Sequence, residues 1–142
     1  LAALNAPDFT TSSLRLTGVY GDLRPNKWDD LFADYLAGRP VEVRAGTEVH
    51  GRDAGQAVRL MLETDADKVG GQSFNVSDIV TDTHKILACV KAENGCDVPL
   101  PAPAAREDVA AMTTDKIRAL GWQPGGQPLL AASIAELAAR FR

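Results

Sequence analysis

The sequence predicts a single α/β domain. Apolar, strand-like runs at Leu14–Tyr20 and Phe74–Val76 are separated by segments whose apolar residues recur every three or four positions. Strands alternating with helices over this length imply layered packing with right-handed crossovers. At 142 residues, 45% hydrophobic and 24% charged, the chain has the size and composition of one domain with one sizeable core.

In chain order, Ser13 to Tyr20 reads as a strand covered on both faces, because its apolar residues run almost continuously, and Gly21-Asp22 turns the chain outward. Asn26 is placed to cap the following helix, in which Trp28, Leu31, Phe32, Tyr35 and Leu36 form one apolar stripe and Gly38 is the stop. Val41 and Val43 alternate with Glu42 and Arg44 as a short half-buried strand, followed by a turn at Gly46. Asp53 is the expected N-cap of a helix carrying Ala57, Val58, Leu60, Met61 and Leu62. A polar loop, 63–71, leads to a second core strand, Gln72 to Ser77. Thr81 or Asp82 caps the next helix, with Ile86, Leu87 and Val90 inward and Gly95 as its end. Prolines between Asp97 and Pro103 favour extended chain wrapping the surface. Thr113 or Thr114 caps a short helix to Leu120, Trp122 anchors the exit, and a last Ala-rich helix covers about 129–141.

Fifteen basic and nineteen acidic residues give a net charge of -4, with no basic run to follow a phosphate backbone, so nucleic acid is not an expected partner. No apolar window is long enough to span a bilayer, and the expected location is cytoplasmic. Cys89 and Cys96 lack metal-ligand spacing and are expected as two reduced thiols. The pairs Asp29-Asp30 and Asp65-x-Asp67 read as solvated carboxylates, and His50 as an interior, hydrogen-bonded histidine.

Four ordered segments carry a resemblance: Leu14-Arg-Leu-Thr-Gly-Val-Tyr-Gly21, Val49-His-Gly-Arg-Asp53, Phe74-Asn-Val-Ser-Asp78, and Thr113 to Pro124 with its Leu-Gly-Trp-Gln-Pro end. Together they resemble the C-terminal half of the extended short-chain dehydrogenase/reductase family, the NAD-dependent epimerase/dehydratases acting on nucleotide sugars. The resemblance implies the C-terminal part of a Rossmann-like parallel sheet, two core strands with flanking helices, plus a small substrate-binding lobe. Residues 1–24 and 52–96 would belong to the Rossmann side, and 25–51 and 97–142 to the lobe and C-terminal helices.

The chain contains neither a Gly-x-x-Gly-x-x-Gly turn nor a Tyr followed four residues later by Lys. The resemblance therefore implies a substrate-side portion of an NAD(P)-dependent nucleotide-sugar epimerase, dehydratase or reductase, inactive alone, whose cofactor half and catalytic Tyr lie before Leu1. NAD or NADP is expected in the parent and no cofactor on this chain alone. By resemblance, Leu16 and Val19 lie beside the cofactor, and Asn26, Lys27, Trp28, Arg44 and Arg52 contact the nucleotide sugar. A plain cap at Asn26, a core role for Trp28 and a solvent-facing Arg44 account for the same residues. The family's Pro is Leu16 here, its frequent Asn is Gly18, and its Arg before Val-His falls at Gly46. The alternative is a non-catalytic α/β binding or interaction module derived from that fold. In either case the exposed sheet edge is expected to promote self-association.

Overall fold

A computed structural model describes residues 2–142. Strands β1 (Ser12–Leu16), β2 (Gly18–Tyr20), β3 (Ala45–His50), β4 (Gln72–Val76) and β5 (Ile79–Asp82) alternate with six helices: α1 (Asp29–Leu36), α2 (Gly51–Glu63), α3 (Ala66–Val69), α4 (Thr83–Asn94), α5 (Asp115–Arg118) and α6 (Gly126–Ala138). The predicted α/β class holds. The two expected core strands are β1 and β4, paired in parallel from Ser12↔Gln72 to Leu16↔Val76.

The run Ser13 to Tyr20 is nevertheless two strands in two sheets, divided at Thr17. Its partner run divides at Ser77-Asp78, and the Thr17 hydroxyl donates to the Ser77 hydroxyl at 3.0 Å where the two part. Strand β3 enters there. It runs parallel to β2 through Gly18↔Glu48 to Tyr20↔His50, and antiparallel to β5 through Glu48↔Ile79 to Ala45↔Asp82. Glu48 is the register position common to both pairings. The expectation of a strand buried on both faces is also corrected: Leu16 is 48% and Val19 41% exposed, on β1 and β2, each an edge strand with a single partner among the described residues.

Several local expectations shift by a few residues. The Val41–Val43 segment is coil and the strand lies at Ala45–His50, with Gly46 inside it, because β2 and β5 offer backbone partners only there. The cap of α2 is His50, whose Nδ1 accepts from the Arg52 amide at 2.9 Å; Asp53 sits in the first turn and is completely buried. Trp28, not Asn26, occupies the position before α1, while Asn26 stands two residues earlier. Loop 63–71 contains α3, and α6 begins at Gly126, three residues before the expected start. Thr114 holds the cap position of α5, but its hydroxyl accepts from Arg118 Nε. Asp82 does cap α4, accepting from the Lys85 amide, and Gly95 ends it in the left-handed region at φ 63°.

Side chains fill two apolar cores. In the first, Phe32 and Tyr35 of α1 meet Leu87 and Val90 of α4 and Ile134 and Leu137 of α6. In the second, Val49, Ala57, Phe74, Val76, Ile117 and Trp122 close around the β1–β4 pair and α2. Burying such side chains stabilises the fold by about 1.5–3 kcal/mol each relative to exposure. Helix α2 has more apolar residues than it buries: Val58 is half exposed and Leu62 is 82% exposed. The proline stretch wraps as expected, with Val98 O accepting from Tyr35 Oη at 2.8 Å and Pro101 O lying 2.7 Å from His84 Nδ1. Both cysteines are free thiols, and no helix among the described residues is long and apolar enough to cross a membrane.

Two carboxylates tie the cores together. Asp53 Oδ2 accepts from the Gly125 amide at 2.8 Å, and Asp78 Oδ2 from the Gly126 amide at 2.7 Å, so both hold the start of α6. The Trp122 indole donates to Asp53 O at 2.9 Å. A Cβ at Gly125 would lie 2.4 Å from Leu129 Cδ2, and Gly126 has φ 64°, so this turn needs both glycines.

Trp122→Ala is expected to cost about 3–5 kcal/mol in urea unfolding, through cavity and hydrogen bond together. Asp53→Ala should cost about 1–3 kcal/mol in the same assay, more than a surface cap, because the Gly125 amide loses its acceptor in the interior. Burial and the neighbouring Asp53 push the Asp78 carboxyl up, against the Gly126 amide and Arg118, which lower it. The folded chain thus holds this proton more tightly than the unfolded chain, and stability attached to Asp78 falls as pH rises past the ordinary 3.8. Asp78→Asn should remove that slope from stability measured against pH. Burial raises both phenols, Tyr35 to about 12 and Tyr20 further still. Phenolate absorbance is therefore expected to stay flat through pH 10 and to rise only with unfolding.

Candidate functional site

The parting of the strands opens two neighbouring grooves. One, of about 290 Å³, lies between α1 and β3 and is walled by Lys27, Trp28, Arg44, Glu48 and Thr81. The other, of about 450 Å³, lies at the start of α2 and is walled by Val19, Asn26, Lys27, His50 and Arg52. Lys27 belongs to both walls. Six of the seven residues expected at the site are thereby placed along two adjoining grooves. Leu16 lines neither, and stays exposed at the end of β1.

Asn26 works as an organiser. Its side-chain amide donates to Gly21 O at 2.7 Å and Leu23 O at 3.2 Å, its Oδ1 accepts from the Trp28 amide at 3.1 Å, and its own amide donates to Asp29 Oδ2 at 2.8 Å. These bonds close the loop that contains the cis Arg24–Pro25 peptide and aim Lys27 at β3. Trp28 is a core residue that also forms part of the wall. It is 7% exposed and stacks between Tyr20, at 5.6 Å, and Phe32, at 6.3 Å.

The ion pair Lys27–Glu48 dominates the first groove. Lys27 Nζ also lies 5.1 Å from the Trp28 ring centroid, a cation–π distance. Glu48 had no signal in the sequence, since a lone acidic residue in a glycine-containing stretch reads as solvated loop. In the structure its side chain is only 9% exposed, and its carboxylate fills the space beside Gly18: a Cβ on residue 18 would stand 2.8 Å from Glu48 Oε2. Thr81, also unforeseen, is buried at the same wall, and its hydroxyl has no hydrogen-bond partner among the described residues. Arg44 is anchored through its backbone, with its amide donating to Thr83 Oγ1 at 3.2 Å.

In the second groove, Arg52 is drawn toward Asp53 Oδ1 at 3.5 Å. His50 is half-buried rather than interior. Since its Nδ1 accepts from the Arg52 amide, the neutral ring carries its proton on Nε2, and the ring meets Tyr20 edge-on at 4.9 Å. Desolvation, then Asp78, Asp53 and Glu48, push the Tyr20 phenol far above its usual range, so it serves as a neutral wall and not as a base. The chemistry available is recognition by one ammonium, two guanidinium groups, an imidazole and a buried hydroxyl. The strand-to-helix junctions His50-Gly51 and Asp82-Thr83 lack the glycine spacing that cradles a pyrophosphate, and Leu16 and Val19 present exposed apolar surface. Among the described residues no cluster of His, Cys, Asp and Glu is placed to hold a metal ion.

No protein-family model and no curated protein sequence matches the chain. Solved structures do match in fold. A GalE-like L-threonine dehydrogenase from Cupriavidus necator, in its holo form, superposes with a TM-score of 0.66 at 21% identity, over 92% of this chain and 48% of its own. UDP-glucuronic acid 4-epimerase from Bacillus cereus, in complex with UDP-glucuronic acid and NAD, gives 0.66 at 14% identity, over 92% and 46%. A reductase engineered for asymmetric catalysis gives 0.73 at 14% identity, over 94% and 45%. The chain thus spans about half the length of the structures it matches, and its fold is that of part of an epimerase/dehydrogenase chain, the architecture implied by its four ordered motifs.

Proposed function

We propose that the chain is the substrate-side portion of an NAD(P)-dependent nucleotide-sugar epimerase, dehydratase or reductase, inactive until joined to a cofactor-binding half. The observation that carries this reading is the junction of two grooves at the strand divergence, with Lys27, Arg44 and Arg52 in their walls. Ligands of open α/β sheets bind in such crevices, where neighbouring strands lead away from each other. The open side of β1 and the bare Val58 and Leu62 of α2 give the cofactor half a surface to cover. In the assembled protein, residues 1–24 and 52–96 form the cofactor side, and 25–51 and 97–142 the substrate side.

Each site residue then has a role on the substrate. Lys27 and Arg44 face the nucleotide's phosphates across the first groove, Asn26 holds the loop, and Trp28 gives it a flat apolar wall. Arg52 supplies a guanidinium fork in the second groove. Leu16 and Val19 offer the apolar boundary on the cofactor side, and bound NAD or NADP supplies hydride chemistry that this chain does not provide.

Calorimetric titration with NAD is the test. The chain alone is expected to give no measurable binding, and the protein extended upstream to include a Gly-rich strand-to-helix turn should bind NAD and then oxidise or epimerise a nucleotide sugar. Tight NAD binding by the isolated chain, or an extended protein that takes no NAD, would refute the proposal.

A further inference from the structure

We propose that Glu48 is an internal competitor for the anion position of the α1–β3 groove, holding Lys27 until a diphosphate displaces it. This deepens the proposed function and rests on its reading that the first groove takes the phosphates of the ligand. Glu48 lies where β3 meets both of its neighbours, so its backbone cannot shift without breaking the pairing with Gly18 and Ile79. Its side chain reaches back over Gly18, the only residue type whose lack of a Cβ leaves room for the carboxylate there.

The carboxylate and a phosphate oxygen are the same kind of partner for an ammonium: anionic acceptors seeking the Lys27 protons. Both cannot occupy that ammonium without two negative charges in contact at a half-desolvated site, which costs free energy. Glu42 and Asp82 add negative charge to the groove, and Arg44 is the remaining cation in its wall. While Glu48 keeps its hold on Lys27, Arg44 stands against Glu42 and Asp82 and the wall is net negative; once the carboxylate swings aside, Lys27 and Arg44 balance those two carboxylates, and a diphosphate meets a less repulsive groove with a free ammonium. Lys27 is placed for such a transfer, since it stands in the walls of both grooves and is 38% exposed along its side chain.

The test is titration of inorganic pyrophosphate into the 142-residue chain, followed by calorimetry, with circular dichroism confirming that each variant is folded. Glu48→Gln is expected to bind at least about tenfold more tightly than the unaltered chain. Adding Lys27→Met to that variant should abolish the gain. Gly18→Ala offers a second route, because its methyl group pushes away the flexible end of Glu48 and should strengthen binding in the same direction. A folded Glu48→Gln chain that binds no better than the original, or a gain that survives Lys27→Met, overturns the proposal. Should Glu48→Gln not fold, the outcome with Gly18→Ala decides. These readings use no NAD, so the proposal about Glu48 and the assignment to an NAD-dependent parent can fail independently.

Discussion

The structure depends on the point where two strand runs stop being neighbours. Up to Leu16 and Val76 they form an ordinary parallel pair. Beyond the Thr17–Ser77 hydrogen bond they lead in opposite directions along β3, which satisfies both sets of backbone groups with one strand. The two apolar cores lie on either side of this divergence, and the two grooves open along it. Without β3 the ends of β2 and β5 would each present an unpaired edge.

Electrostatics at the divergence follow from the same geometry. Pairing on both sides fixes the backbone of Glu48, and its carboxylate, packed over Gly18 at 7% residue exposure, needs a counter-ion. Lys27 supplies it from the loop fixed by Asn26. Burial first, and then the nearby Asp78, Asp53 and Glu48, keep the Tyr20 phenol protonated, and its ring packs the interior between Trp28 and His50.

How much of this was legible in the sequence varied with the kind of signal. Helices α1 and α4 were readable because their apolar residues keep helical spacing and their ends carry Gly38 and Gly95, both at positive φ. The β1–β4 pair was readable as two apolar runs. Strand β3 was not, because Ala45-Gly-Thr-Glu carries almost no hydrophobic pattern and is a strand only by virtue of partners distant in the sequence. The false strand at Val41–Val43 shows the converse, an alternating pattern with nothing to pair against. Among site residues, cationic and aromatic side chains stood out at motif positions, whereas Glu48 and Thr81 acquire their significance from burial, which the sequence alone does not display.

The pair of carboxylates at the beginning of α6 has a further consequence. Asp53 issues from the helix of one core and Asp78 from the bend between β4 and β5, yet both grip adjacent amides of a helix that belongs to the other core. A sheet split into two pieces would ordinarily let each piece breathe separately. Here Gly125 and Gly126 act as a rivet through both, so that slackening on one side strains the bonds that hold the other.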